Sequence, residues 1–429
     1  MALAFNEREE WQREPAVPRL LAGPEPGAGA ESWSAHSARL GPRPRGGAWL
    51  IETLAESGLV GKGGAGFPVW RKWAGLAERS RGRAVVLVNA SEGEPLSAKD
   101  KTLLRIRPHL VLDGAALAAE SIGADEVVLY VAGRWPFSGR LRQVLLQRRS
   151  ARPADVPVRI VRTSHHYVAG ESSAAAQRAS GRPAQPRSTP PYVSVLGVFD
   201  RPTLVQNAET LAHIALIARY GSDWFRAAGT IGSPGSTLVT LAGNVRRPGV
   251  YEVEPGQGLA KVFEEAGGTL TPPAGALLGG YFGTWLPAAA LDGLHLDAES
   301  LLRRGAALGC GVVAPLPEDG CALVESSRVL TYLARESAGQ CGPCVHGLRA
   351  LAEAAHRLAW SQAGPGELDL IRRWAGQVKG RGACHHPDGA VGQLESVLSG
   401  FADHVDSHAR GIRCAGLDAR GFPAPPGVH

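Results

Sequence analysis

The sequence lacks any apolar run long enough to cross a membrane as a helix, which takes about 20 residues. Its longest apolar stretch, Ala276 to Leu291, is interrupted by glycine, threonine, tryptophan and proline. The amino-terminal MALAFNEREEWQREP is acidic and polar. It has neither the basic nor the apolar segment of a secretory leader, so no signal peptide is expected and the expected location is cytoplasmic. Cysteine is scarce: six in 429 residues do not make a disulfide framework, and reduced thiols are expected. One-sided charge is also missing. The 46 Lys and Arg exceed the 40 Asp and Glu by only six, and the arginines are scattered. Without a recognition module beside them, nucleic acid is not an expected partner.

What is present is enough chain for several domains. Residues 13–46 are rich in Pro, Gly, Ala, Ser and Arg and have no periodicity, so 1–47 is expected to be a flexible arm. A helical segment, AWLIETLAESGLV (48–60), runs into GKGGAGFP (61–68). Three strand-like runs follow, AVVLV (84–88), EVVLYVAG (126–133) and VPVRIV (156–161), with helical LVLDGAALAAESIG (110–123) between the first two. Strand, helix, strand at this spacing predicts βαβ units and a mostly parallel sheet, an α/β domain over 48–231. Composition changes near Gly229, and the stretch 236–268 reads strand, Pro248-Gly249 turn, strand and helix, a β-grasp unit within 232–320. From Cys321 the pattern is helical. Apolar residues at i, i+3 and i+4 spacing predict four amphipathic helices, over Leu323–Ala334, Val345–Leu358, Leu368–Val378 and Val391–Val405, and so a bundle over 321–429.

Cys341-Gly-Pro-Cys344 sits between the first two of those helices. A thioredoxin dithiol needs this motif at the end of a strand, opening a helix; the residues before it are helical in pattern, and the usual preceding Trp is absent. Ordinary half-buried thiols are a second reading. Cys384, with His385 and His386 beside it, offers a third. Three soft thiolates converging at one end of a bundle select an iron–sulfur cluster or, with one of the histidines, a Cys3His zinc site.

Gly61-Lys62-Gly63-Gly64-Ala65-Gly66 satisfies G-x-G-x-x-G, but a helix rather than a strand precedes it, so it is not an ordinary dinucleotide fingerprint. Glycines at this density still let backbone N–H groups approach a phosphate or a flat ring, with Lys72 one turn into the next helix. The first strand ends in Asn89-Ala-Ser91-Glu92-Gly93-Glu94, where ligands of open α/β sheets bind. Two further turns fit the same place: 166–171, after the third strand, and 206–211, opening a helix.

The blocks GLVGKGGAGFPVWRKW, VNASEGEP, PHLVLDGA, YVAGESSA, RPTLVQNAETLA, RPGVYEV and ESAGQCGPC, in this order, resemble the flavin-bearing, NADH-oxidising subunit of respiratory complex I. They also resemble the diaphorase subunits of soluble hydrogenases and formate dehydrogenases. The resemblance implies a Rossmann-like FMN-binding α/β domain, a β-grasp domain of the SLBB type and a helical bundle holding a 4Fe-4S cluster. By position it implies FMN contacts at Gly61, Gly63, Gly64, Lys72, Asn89, Glu92, Gly170, Glu171, Asn207 and Thr210. It implies NADH contacts at Phe67, Glu94, Tyr167 and Tyr192, and cluster ligands at Cys341, Cys344 and Cys384. The implied partners are other electron-transfer subunits, such as a thioredoxin-like 2Fe-2S subunit or a membrane partner that would hold the chain at the inner face. Departures stand out. Ala338 replaces the first cysteine of the family block E-S-C-G-x-C-x-x-C, Ser91 an aspartate, Ser172 a glutamate, Gln206 an asparagine and Gly75 a nucleotide-stacking aromatic. An alternative expectation is a docking or assembly paralogue that keeps the fold with a degenerate cluster or zinc.

Overall fold

The computed structural model describes residues 19–24, 29–133, 138–163, 166–188, 190–417 and 422. Three helices open the described chain: α1 (Trp33–Leu40), α2 (Ala48–Ser57) and α3 (Val69–Ser80). A parallel sheet follows, β1 (Ala84–Ala90), β2 (Ala124–Val131), β3 (Val158–Arg162) and β4 (Thr203–Asn207), in the order β3-β2-β1-β4. The crossovers carry α4 (Lys99–Ile106) with α5 (Pro108–Ile122), then α6 (Ser138–Ala151), then α7 (Ser172–Ala179); α8 (Ala208–Arg226) leaves β4. Val86, Val88, Val127 and Leu129 face α5 and α8, while Val85, Leu87, Val128 and Tyr130 face α7. Both faces are covered, which is why these strands read as continuous apolar runs.

Helices α5 and α8 touch because Gly114 has no side chain: a Cβ there would fall 1.9 Å from the Leu211 carbonyl oxygen. The chain runs from β1 out to β3 and then returns to the other side of β1. The strand order therefore reverses between β1 and β4, whose last paired residues are Asn89 and Asn207. That crevice is where open α/β sheets bind ligands.

The residues expected to form a loose arm include α1, which is docked on α5. His36 Nε2 lies 3.0 Å from Asp113, which also meets Arg148 at 2.8 Å and Arg219 at 2.5 Å. The His36–Asp113 pair, with Arg219 Nε donating to the Leu40 carbonyl at 3.2 Å, holds the helix more than an apolar stripe does, so periodicity did not announce it.

Strands β5 (Thr237–Leu241) and β6 (Gly249–Val253) pair antiparallel and lead to α9 (Leu259–Glu265). Then come β7 (Gly275–Leu278), β8 (Thr284–Pro287), α10 (Ala288–Leu291), α11 (Ala298–Arg303) and β9 (Val312–Leu316). The order β6-β5-β9-β7-β8 with a parallel central pair is a β-grasp sheet. Alternate residues serve two cores. Ala276, Leu278 and Val313 face α9, whereas Leu277, Val312 and Ala314 face the carboxy-terminal helices.

Those helices are α12 (Ala322–Arg335), a π-helical turn over Pro343–Leu348, α13 (Arg349–Ala359), α14 (Glu367–Val378), α15 (His386–Gly400) and α16 (Ala402–Ala409). The helix expected over 391–405 is two helices, because Phe401 leaves helical geometry at φ −123° and ψ 38°. Among the described residues no helix is long and apolar enough to cross a membrane.

Candidate functional site

The glycine loop is tied at its neck. Val60 bridges Pro68, Gly61 N–H donates to the Phe67 carbonyl at 2.9 Å, and Val69 N–H donates to Leu59 at 3.1 Å. The loop leans on the switch point: Lys62 N–H donates to Thr210 Oγ1 at 2.9 Å, and a Cβ on Gly63 would meet the Asn207 Cβ at 3.3 Å. Its outer rim is open. Gly64 has φ +109° with its nearest would-be Cβ neighbour, a backbone carbon of Gly309, at 3.9 Å; Gly66 has φ +60° and nothing within 4 Å. Lys72 stands at this rim with its ammonium 5.6 Å over the Phe67 ring, and burial lowers its pKa. Phe67 itself is exposed, and so is Tyr192, on the loop between α7 and β4.

The turns after β1 and β3 interlock. Asn89 Nδ2 donates to the Gly170 carbonyl at 2.8 Å, and the Ser91 hydroxyl donates to Asn89 Oδ1 at 2.8 Å. A Cβ on Gly93 would lie 2.7 Å from the Tyr167 carbonyl oxygen, and one on Gly170 would lie 2.8 Å from Ser91 Oγ. Both turn carboxylates also cap helices. Glu92, at φ +45°, accepts from the backbone N–H groups of Asp100 and Lys101 at 3.0 and 3.1 Å. Glu171 accepts from those of Ser173 and Ala174 at 2.9 and 3.0 Å. A carboxylate at a helix start is stabilised by the free N–H groups there.

Sequence reasoning passed over the charges beneath the loop. Lys99 lies 2.8 Å from Glu209, 3.1 Å from Asp100 and 3.2 Å from Asn207 Oδ1. Burial opposes its charge, but Asp100 and Glu209 prevail and raise its pKa. Lys62 shares this field; burial lowers its pKa, against Glu209 and with Lys99. The signal available was Glu209, a carboxylate in the first turn of the mostly apolar amino-terminal half of α8.

Glu94 is buried where the first and second domains meet. It accepts from Tyr281 N–H at 2.8 Å, the Tyr167 hydroxyl at 3.1 Å and Leu96 N–H at 3.2 Å. Burial, aided by the nearby Glu92 and opposed by these donors, pushes its pKa up from 4.5 to about 7. Between those values the folded protein holds a proton that the unfolded chain has lost, so stability falls as pH rises through that window. Glu94→Gln removes that loss. Relative to wild type, the variant should gain up to about 3 kcal/mol in denaturant unfolding between about pH 5 and pH 8. A difference independent of pH would show that Glu94 is ionised throughout.

The cysteine-bearing turn is docked against this site. Tyr167 N–H donates to Glu336 Oε2 at 2.8 Å, and Gln340 Nε2 donates to the Pro186 carbonyl at 2.6 Å. Cys341 opens the π-helical turn and Cys344 lies within it, a geometry found often at functional sites. Burial raises the pKa of Cys344, and Cys341 and Cys384 raise it further. The Cys384 thiol is raised by burial, and also by Glu171 and Cys341. The three thiols thus share one field, and Glu171 of the turn after β3 reaches into it. Of the two histidines, His385 is exposed and faces Asp388 at 3.5 Å. His386 is buried, lies 2.8 Å by Nε2 from the Leu333 carbonyl, and has no partner for Nδ1 among the described residues.

A glycine-lined switch point in a parallel sheet, with a group of thiols packed beside it, suits a flavin and an iron–sulfur centre in one electron-transfer subunit. The family model of the Nuo51 FMN-binding domain matches residues 54–216, the SLBB domain matches 238–278, and the NADH-ubiquinone oxidoreductase-F iron-sulfur binding region matches 325–408. The chain is 31% identical over 378 residues to the second F subunit of NADH-quinone oxidoreductase from Rhizobium meliloti, covering 85% of this chain and 90% of that one. It is 32% identical over 384 residues to the F subunit of NADH-quinone oxidoreductase from Mycobacterium tuberculosis, covering 85% of each. A chain of an NAD+-reducing NiFe hydrogenase, crystallised in the H2-reduced state, superposes with a TM-score of 0.77 at 30% identity. That match covers 87% of this chain, which spans 63% of the hydrogenase chain. The protein belongs to the family of NADH-quinone oxidoreductase F subunits and carries its FMN-binding, SLBB and iron–sulfur domains.

The residues present fit both groups this family implies. The open glycine rim leaves room that any side chain would fill, and Gly63 of the same loop packs on Asn207 of the switch point. The thiol set would supply three soft ligands, and His386 Nδ1, unpartnered among the described residues, is an imidazole lone pair in the same helical region.

Proposed function

We propose that this chain takes electrons from a reduced nicotinamide and delivers them, by way of FMN and an iron–sulfur centre, to a partner electron-transfer subunit. The observation that carries this reading is the direct seam between the two sites, Tyr167 N–H on Glu336 and Glu171 in the field of Cys384. Gly61, Gly63 and Gly64 would present backbone to FMN, with Asn89, Gly170, Asn207 and Thr210 fixing the loop and turns, and Glu92, Glu171 and Lys72 at the margins. Phe67 and Tyr192 would offer exposed ring faces to the nucleotide, and Glu94 and Tyr167 a hydrogen-bonding wall. Cys341, Cys344 and Cys384 would hold the cluster. Bound FMN supplies the ability to accept a hydride and release electrons singly. The protein's part is position and field: Lys99 and Glu209 keep the switch point rigid, and the buried wall excludes water. Association with partner subunits would place the chain at the periphery of a membrane complex or in a soluble one.

A second reading, a docking subunit without turnover, draws on Ala338 and on Ser91, whose hydroxyl is turned inward onto Asn89. Rapid mixing of the FMN-loaded protein with NADH, and separately with NADPH, distinguishes the two. Flavin absorbance should bleach with at least one nucleotide; persistence of the oxidised spectrum with both would favour the docking subunit.

A further inference from the structure

The helical region contains a second set of ligating side chains, apart from the cysteines already described. Cys321 caps α12, with its sulfur accepting from Val324 N–H at 3.4 Å. His404 and His408 lie one turn apart on α16, and Cys414 follows on the tail that folds back from it. Among the described residues this is the one group of three or more Cys, His, Asp or Glu whose ligand atoms all lie within 4.8 Å of one another. We infer that Cys321, His404, His408 and Cys414 bind a single zinc ion that clamps α16 and the tail onto the base of α12.

The spacing of Cys321, His404 and His408 is that of one face of a coordination tetrahedron, with the Cys414 thiol within 4.8 Å of each. Zinc–nitrogen bonds near 2.05 Å and zinc–sulfur bonds near 2.3 Å give tetrahedral edges of about 3.3 Å between nitrogens and about 3.5 Å between nitrogen and sulfur. The two Nε2 atoms are 3.2 Å apart, and Cys321 Sγ lies 3.2 Å from His404 Nε2 and 3.7 Å from His408 Nε2. No carboxylate belongs to the group, so two thiolates and two neutral imidazoles around Zn2+ make an uncharged centre, suited to burial. A two-iron cluster would hold its ligand pairs on different metals and farther apart than this.

The surroundings orient the ligands. The Ser361 hydroxyl donates its proton to the Ile412 carbonyl at 3.0 Å, so toward His408 Nδ1, 3.2 Å away, it can only accept. His408 therefore carries its proton on Nδ1 and turns the lone pair of Nε2 toward the other ligands, as an acceptor beside the outer ring nitrogen does for metal-bound histidine. Ser361 holds this position at φ +55°, a conformation unfavourable for serine. The tail approaches through Gly416, where a Cβ would lie 2.7 Å from the Cys321 backbone nitrogen. Cys321 and Cys414 are free thiols, not a disulfide.

The test is metal analysis of the full chain, purified without air and without a histidine tag. Wild type should hold zinc at about one per chain, and so should a Cys341→Ser/Cys344→Ser/Cys384→Ser variant. Cys321→Ser/Cys414→Ser should lose at least about nine-tenths of it. Should that variant fail to fold, Ser361→Ala gives a gentler reading: zinc affinity in chelator competition should fall about tenfold or more. Zinc-depleted protein titrated with Co2+ should show the visible bands of tetrahedral thiolate–imidazole cobalt in wild type and in the triple variant alike. Three results would each overturn the assignment: a triple variant empty of zinc and silent with cobalt, zinc retained without Cys321 and Cys414, or a native Cys321–Cys414 disulfide by mass spectrometry.

Discussion

Gly64→Leu is expected to leave the fold intact and to empty the protein of FMN. The change meets little protein, since the nearest atom to a Cβ at this position is 3.9 Å away. Its effect falls on the open space over the loop, which a leucine side chain would occupy. A second cost is conformational. At φ +109° an L side chain is strained by roughly 1–3 kcal/mol, so the loop would shift to relieve it. A total of about 3 kcal/mol already weakens binding by about a hundredfold. Gly64→Ala separates the two causes, because it adds the strain with little of the volume. Flavin retained after gel filtration, with circular dichroism as the check on folding, is the measurement. FMN held by Gly64→Leu as tightly as by wild type would mean that the flavin does not lie over this loop.

The parts of the fold that were legible in the sequence are those with local causes. β1 and β2 announced themselves because both faces of the sheet are covered, so AVVLV and the VVLYV after Glu126 are apolar throughout. The glycine loop and the turn after β1 were legible because their residue types have few other uses. β4 escaped: Thr203–Asn207 is short and ends in two amides, and it is a strand because β1 is its neighbour. The docking of α1 escaped for a related reason, since its partners Asp113 and Arg219 are far away in the chain. Lys99 and Glu209 form one buried pair but belong to α4 and α8, far apart in the chain. Of the second cysteine–histidine set, only His404 and His408, at helical spacing, left a local trace. Cys321 and Cys414 stand at opposite ends of the helical region, and only the folded tail unites them.

Ala338→Cys is the second substitution with a large expected effect. The methyl group of Ala338 cannot bind iron, and four protein ligands are the rule for a 4Fe-4S cluster. Cys341, Cys344 and Cys384 would supply three. His385 is exposed and directed at Asp388, and the Cys310 thiol donates to the Gly279 carbonyl at 3.1 Å beside Glu94. His386 would be the better fourth ligand, because its Nε2 is engaged by Leu333 and its Nδ1 is buried without a partner among the described residues. A restored thiolate should raise iron and sulfide after anaerobic reconstitution to about four each per chain and slow bleaching by oxygen. EPR of the reduced protein should sharpen to a single species. His386→Ala should lower iron in the wild-type background and change little in the Ala338→Cys background, because the fourth position is then filled. Zinc must be assigned by location in this experiment. Zinc that survives Cys341→Ser and Cys384→Ser belongs with Cys321, His404, His408 and Cys414 and does not count against the cluster assignment. Zinc that disappears with those two substitutions, in protein containing no sulfide, would show that this family member has exchanged its cluster for a Cys3His site.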